Sequence, residues 1–292
     1  MTKIAGIGEQ NRNIVGASGV LIGLDVGGSI TKIVGFHKGK LLKETLVKAS
    51  DPVASAYGAL GKFMLLNELR LDQVEAIRLT GVGASHVEDS ELLELPSTIV
   101  PEFDAVGVGG LFTAQAKKAI VVSMGTGTSI VYADRKTIRH IIGSGVGGGT
   151  LLGLGQTMLG VRDFDSISEM SLEGDLQKID LSVGDISRRS IPGLSSDTTA
   201  SNFGKVDERV TASDLAHGIV NLVFQSVGTA AVLAARLEKV DKIIFTGNLL
   251  RIESGRTVLK GFADLYNVKI VVPQHAEFAT AIGAALYDST IV

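Results

Sequence analysis

The chain has 292 residues, 45% of them apolar, enough to bury a sizeable core as one large domain or two lobes. With 28 Lys plus Arg against 31 Asp plus Glu, it has no basic field of the kind that holds nucleic acid or an anionic membrane. It contains no cysteine, which excludes disulfides, thiolate metal sites and a cysteine nucleophile, and which fits a cytoplasmic location.

Residues 1–19 read as a lead-in without the apolar core of a signal peptide. No uninterrupted apolar stretch reaches the roughly 18–20 residues of a membrane span. The stretches VLIGLDVGG, ITKIVGFHKGK and LLKETLVKA then predict a strand, a hairpin partner and a third strand. Asp51-Pro52 opens a helix, and VEAIRLTGVGAS predicts a strand ending in a glycine turn. A connector with Pro96 and Pro101 leads into the helix EFDAVGVGGLFTAQAKK.

At Ala119 the pattern begins again with strand, glycine turn, strand, polar hairpin and strand. The repeat predicts an α/β protein of two lobes with related β-β-β-α topology, residues 20–117 and 118–292. VGGGTLLGLGQTML enters a helix through a glycine run, and residues 163–205 read as polar and irregular. Thr211 to Lys239 holds a long apolar helix whose face exceeds one lobe's needs, read as a homodimer seam against the plainer reading of a core helix. VDKIIFTGNLLR, VKIVVP and AEFATAIGAALYD close the chain as strand, strand and helix.

The 36 glycines exceed the usual ~7% and are clustered. Three glycine-hydroxyl turns follow apolar strands: Gly27, Gly28 and Ser29; Gly125, Thr126, Gly127 and Thr128; and Gly247 with Asn248. Backbone N–H groups in such turns approach phosphates closely, and hydroxyls add donors. Asp25 beside the first turn suits Mg²⁺, and Lys32 two strand positions beyond Ile30 suits a phosphate. Gly147, Gly148 and Gly149 would border the nucleoside. One glycine pair after a strand is usually only a turn; three, two of them on a repeated hairpin, favour ATP held between two lobes. The P-loop pattern is absent, the glycine runs form no dinucleotide fingerprint, and the histidines have no metal-ligand spacing.

The repeated lobes with DVGGSITK resemble the superfamily of acetate and sugar kinases, heat-shock ATPases and actin. VPEFDA, VSMGTGTSIV, GSGVGGGTLLGLG, TASNFG, FTGNLLR and AIGAAL, in that order, resemble the type II pantothenate kinases from about Gly23 to the last helix. The resemblance implies actin-like, ribonuclease H-like lobes, each β-β-β-α-β-α, around a nucleotide cleft. It also implies ATP-dependent phosphorylation of the primary hydroxyl of pantothenate, with Glu102 as the base. A carboxylate in a partly dry cleft can take that proton, although an acid there also suits a helix N-terminus. Thr126 and Ser129 match hydroxyls near phosphate or substrate, and Thr199 matches a residue that meets the substrate across a dimer.

The family's carboxylate-holding arginine is matched here by His140, with Arg139 one residue earlier and expected on the opposite strand face. A tyrosine of the bacterial members is matched by Val271 or Val272. Another small hydroxylated acceptor such as pantetheine, and an ATP-switched regulator, stand as the alternatives.

Overall fold

The computed structural model describes residues 19–48, 50–87 and 92–287, so the lead-in up to residue 18 lies outside the described residues. The first half of the chain forms β1 (Val20–Val26), β2 (Ile30–His37), β3 (Lys40–Leu41), β4 (Thr45–Lys48), α1 (Pro52–Leu66), β5 (Val74–Thr80), β6 (Ser97–Ile99) and α2 (Glu102–Thr113). The second half forms β7 (Lys118–Met124), β8 (Thr128–Asp134), β9 (Ile138–Ser144), α3 (Gly148–Leu159), α4 (Phe164–Glu173), β10 (Leu181–Ser182), α5 (Val183–Ile186), β11 (Thr199–Ser201), α6 (Ala212–Leu237), β12 (Lys242–Thr246), α7 (Glu253–Tyr266), β13 (Lys269–Val271) and α8 (Ala279–Leu286).

The two main sheets have the same design. In the first, β1 pairs antiparallel with β2 on one side and parallel with β5 on the other, and β6 continues beyond β5. In the second, β7 pairs antiparallel with β8 and parallel with β12, and β9 and β13 extend the edges. The central strands are apolar on both faces, as parallel pairing under helices requires. Each half ends on a helix, α2 or α8. These two helices lie between the sheets and touch along their length.

Each helix covers the other half's sheet. Val106, Val108 and Leu111 of α2 share a core with Val121, Val131 and Ile138 of the second sheet. Gly23 of β1 lies against Ala281 and Ala285 of α8. Where the helices cross, a Cβ on Gly109 would lie 1.8 Å from the Ala279 carbonyl oxygen, and one on Gly283 would lie 1.8 Å from that of Ala105. Only glycine permits this double backbone contact. The halves also meet through polar contacts, with His275 Nδ1 2.6 Å from Glu44 Oε1 and Lys48 Nζ 3.6 Å from Asp165 Oδ2.

The predicted third strand is instead two short ones on the same partner: β3 pairs with Phe36 and His37, and β4 with Ile30 to Ile33. Between them the Asn67 side chain accepts from the Lys43 amide at 3.0 Å and donates to its carbonyl at 2.9 Å, replacing the ladder. The connector between the two prolines contains β6, and the polar stretch after residue 163 contains α4, β10, α5 and β11. α4 starts there because Asp163 Oδ1 accepts from the Ser166 amide at 2.8 Å.

α6 starts at a Thr211/Asp214 capping box. By length and composition it could cross a membrane, but 67% of its most apolar window is buried inside its own lobe. It therefore fills the core the plainer reading assigned to it, leaving Leu233 and Leu237 exposed.

In α1, Asp51 Oδ1 accepts from the Ala54 amide at 2.6 Å and Pro52 occupies the first turn. Gly58 is exposed within this helix, and a Cβ there meets nothing within 4 Å. Gly58→Ala should therefore raise unfolding stability by about 0.5–1 kcal/mol, measured by urea denaturation.

Candidate active site

The first glycine turn follows β1 and the second follows β7, at equivalent ends of the two sheets' central strands. Asp25 lies opposite Lys32 on β2 and Thr80 on β5. Its carboxylate is nearly buried, 3.9 Å from Lys32 Nζ. Burial raises the Asp25 pKa above the usual carboxylate range, and the Lys32 charge offsets part of that rise. Gly81, at φ 91°, closes over the carboxylate: a Cβ there would lie 2.6 Å from Asp25 Oδ1. The sequence showed this glycine only as a strand-ending turn.

In the first turn the Gly27 amide is used, donating to Ile30 at 3.2 Å. In the second, the Gly125 amide donates to Gly127 at 2.9 Å, and the Thr128 hydroxyl donates to Val146 at 2.8 Å. Among the described residues the amides of Gly28, Ser29, Thr126 and Gly127 have no intramolecular acceptor. They are the phosphate-type donors of the two turns.

The amides of the glycine run at the start of α3 are all engaged within the chain. Gly148 donates to the Gly125 carbonyl at 2.9 Å, Gly149 to that of Thr126 at 2.8 Å, and the Gly147 amide to Thr150 Oγ1 at 3.2 Å. The Gly148 and Gly149 amides thus hold the second turn in shape, and the Gly147 amide closes the start of α3. The third turn presses on the end of β7, where a Cβ on Gly247 would lie 2.4 Å from the Met124 carbonyl oxygen, and its amide donates to Ala276 at 2.8 Å. Asn248 Oδ1 there, and Thr80 Oγ1 beside Asp25's strand, are buried without a hydrogen-bond partner among the described residues.

Glu102 is the first residue of α2, after Pro101. Its pKa is raised, first by desolvation and second by the Asp25 carboxylate, so the two acids face one site. Asp104, two residues on, is 6% exposed and accepts from the Tyr287 hydroxyl at 3.4 Å, which keeps it out of the cleft.

The second sheet forms the wall next to Glu102. Ser129 lies on the same face as Val131 and Ala133, the face that packs on α2. Ser123, which the sequence reading passed over, is its direct partner on β7. β9 carries a bulge: Val131 pairs with His140 but Ile130 pairs with Ile142, leaving Ile141 as the extra residue. His140 thus faces α2, where its ring stacks on Phe103 at 4.1 Å and 14°.

Arg139 takes the opposite face, 2.7 Å from Glu238 and over the Tyr132 ring, so it does not join His140. Thr199 is also apart. It donates to Asp180 Oδ2 at 3.3 Å in a network that Asn202, Asn221 and the Phe203 amide complete. Within one chain it pins the segment between α4 and α6.

Two comparisons with known sequences match this chain. The Fumble family matches residues 113–287. Type II pantothenate kinase of Staphylococcus aureus (strain USA300) is 31% identical over 280 residues, covering 90% of this chain and 97% of that protein. Its counterpart in the bovine strain RF122 matches equally well, at 31% over 280 residues.

Solved structures share the fold. The activator of the 2-hydroxyisocaproyl-CoA dehydratase from Clostridium difficile with bound ADPNP has TM-score 0.66 at 16% identity, covering 91% of this chain and 93% of that one. A ROK family glucokinase from Streptomyces griseus with glucose and AMPPNP has TM-score 0.58 at 13% identity, covering 91% and 98%. These likenesses show the fold: two lobes of the actin-like kind found in those ATPases and ROK kinases. With 31% identity over 90% of the chain and a family match over residues 113–287, the chain belongs to the type II pantothenate kinase (Fumble) family.

Proposed function

We propose that the protein transfers the γ-phosphoryl group of ATP to the primary hydroxyl of pantothenate, giving 4'-phosphopantothenate for coenzyme A synthesis. The observation that carries this is Glu102 at the α2 N-terminus, facing Asp25 closely enough that each acid's charge bears on the site. A nucleotide switch has no need of a second carboxylate aimed at an alcohol. The lobes are taken as residues 20–117 and 118–292, with 1–19 as lead-in. The homodimer on the exposed edge of α6 and the cytoplasmic location belong to the same reading.

Free amides at Gly28, Ser29, Thr126 and Gly127 suit the phosphate oxygens from both sides, with Lys32 as a further cation. The unpartnered Asn248 Oδ1 suits a donor on the nucleoside side. Among the described residues no cluster of three metal-ligating acids or histidines occurs. Asp25 alone fits Mg²⁺, an ion that commonly takes one or two carboxylates and shares the phosphates. When bound, the ion would neutralise phosphate charge.

Glu102 orients the acceptor hydroxyl and takes its proton as the bond to phosphorus forms. The side chains of Ser129 and His140 line the acceptor's path. The rest of the catalysis is alignment and exclusion of water between the lobes.

The test is ATP consumption with Mg²⁺, with and without pantothenate, with mass detection of the product. ADP formation that depends on pantothenate, with a phosphorylated product of matching mass, supports the reading. ATP binding without turnover on pantothenate would overturn the acceptor.

A further inference from the structure

We propose that Thr80 is a positioning residue of the phosphoryl-transfer site: its buried hydroxyl is the partner that aims the Asp25 carboxylate at the cation accompanying ATP. The inference rests on the proposed kinase reading and adds a residue to it.

Four observations carry it. On the sheet, Asp25 stands between Lys32 of β2 and Thr80 of β5, and the three share one face. Gly23, two residues before Asp25, lies against Ala281 and Ala285 of α8, and Arg78, two residues before Thr80, donates to the Ala285 carbonyl at 3.1 Å. Thr80 is 0% exposed, and its Oγ1 has no hydrogen-bond partner among the described residues. The Asp25 side chain still reaches the surface at 13% exposure, and its ion partner Lys32 Nζ is 3.9 Å away, beyond hydrogen-bond range. Finally, Gly81 directly follows Thr80, and a Cβ there would lie 2.6 Å from Asp25 Oδ1, so the end of β5 closes on the carboxylate itself.

The chemistry follows from what each group lacks. A threonine hydroxyl is both donor and acceptor, and a buried one is seldom left unmatched. On the far side of β5 the chain passes through Val100, whose amide donates to Leu79 at 2.7 Å and whose side chain is buried with Ala105 and Ala284. That side is apolar, and the acceptor lies on the other. Neighbouring strands are about 4.8 Å apart, so a turn about one side-chain bond brings the Thr80 hydroxyl to the Asp25 carboxylate. When phosphates draw Lys32 to themselves, Asp25 loses its cation on one side and gains this hydrogen bond on the other. A carboxylate that ligates a cation is normally fixed in this way. One oxygen is held by the hydroxyl, and the other is left for the cation.

A purely structural hydroxyl predicts the opposite. Removing a buried hydroxyl that bonds nothing should stabilise the protein and leave cation and nucleotide alone.

The experiment compares wild type with Thr80→Val, which keeps the shape, and Thr80→Ser, which keeps the hydroxyl. Mn²⁺ stands in for Mg²⁺, and its binding with AMPPNP is followed by loss of the free Mn²⁺ EPR signal. This is read beside kcat and KM for pantothenate and the urea midpoint. Thr80→Val should weaken Mn²⁺ binding by about tenfold or more and lower kcat by a similar factor, with KM for pantothenate within about twofold of wild type. Thr80→Ser should hold Mn²⁺ within about threefold of wild type. Unchanged Mn²⁺ binding and kcat in Thr80→Val, with a raised urea midpoint, would overturn the inference, as would equal losses in both variants. The expected Mn²⁺ pattern in a protein that does not phosphorylate pantothenate would sustain the role of Thr80 and remove only the acceptor. Failure of wild type to bind Mn²⁺ with AMPPNP would remove the kinase reading and this inference with it.

Discussion

Glu102→Gln lowers kcat by about 10²–10⁴-fold and leaves the Kd for ATP nearly unchanged. The amide keeps the size of the side chain and its place at the head of α2 but cannot take a proton. On the proposed reading ATP is held by the turns after β1 and β7 and not by this side chain, so its binding should survive. The same carboxyl sets a pH dependence. Its pKa is raised by desolvation and then by Asp25, and it works as a base only when ionised. Activity therefore falls as pH drops through a value above the ordinary glutamate range. A pH profile of kcat/KM with saturating ATP measures that limb. Turnover near wild type in Glu102→Gln would take the base role away from this residue.

Gly109→Ala and Gly283→Ala should each destabilise the protein by about 3 kcal/mol, the upper end of ordinary overpacking. The atom met at 1.8 Å is a backbone oxygen in both cases, held within a helix, so no side chain can swing aside. The helices must move apart, and with them the sheets they cover. Gly58→Ala is the matched control, because it adds the same methyl to a helix with open space around it. Urea unfolding of the three variants separates crowding from helix propensity. A loss below about 0.5 kcal/mol at both crossing positions would mean that α2 and α8 part without penalty.

The sequence carried the repeated strand–turn–strand grammar because glycines after apolar strands are local signals. The turn positions at Gly28, Ser29, Thr126 and Gly127 follow from the same signal. The bracing role of Gly148 and Gly149 did not follow, since a glycine run does not reveal that its amides are spent on another loop's carbonyls. The facing of His140 and Arg139 follows from strand alternation up to the point of the bulge. The bulge itself left no mark in IRHIIGS, because either isoleucine fills its place. The stack of His140 on Phe103 and the network around Asp180 join residues far apart in the chain, which no periodicity records. The exchange of α2 and α8 between sheets was equally invisible: both helices are apolar on most sides, and that pattern fits either sheet.

That exchange bears on how the chain emerges during synthesis. β1 and the rest of the first sheet are made early, yet one of their faces is covered by Ala281 and Ala285 of α8. At about 5–20 residues per second the uncovered face waits roughly ten seconds or more for its partner. The nascent first half should therefore bind holdase chaperones until residues 279–286 leave the ribosome. A plasmid that splits the gene between the lobes should yield soluble protein only when both halves are made in the same cell.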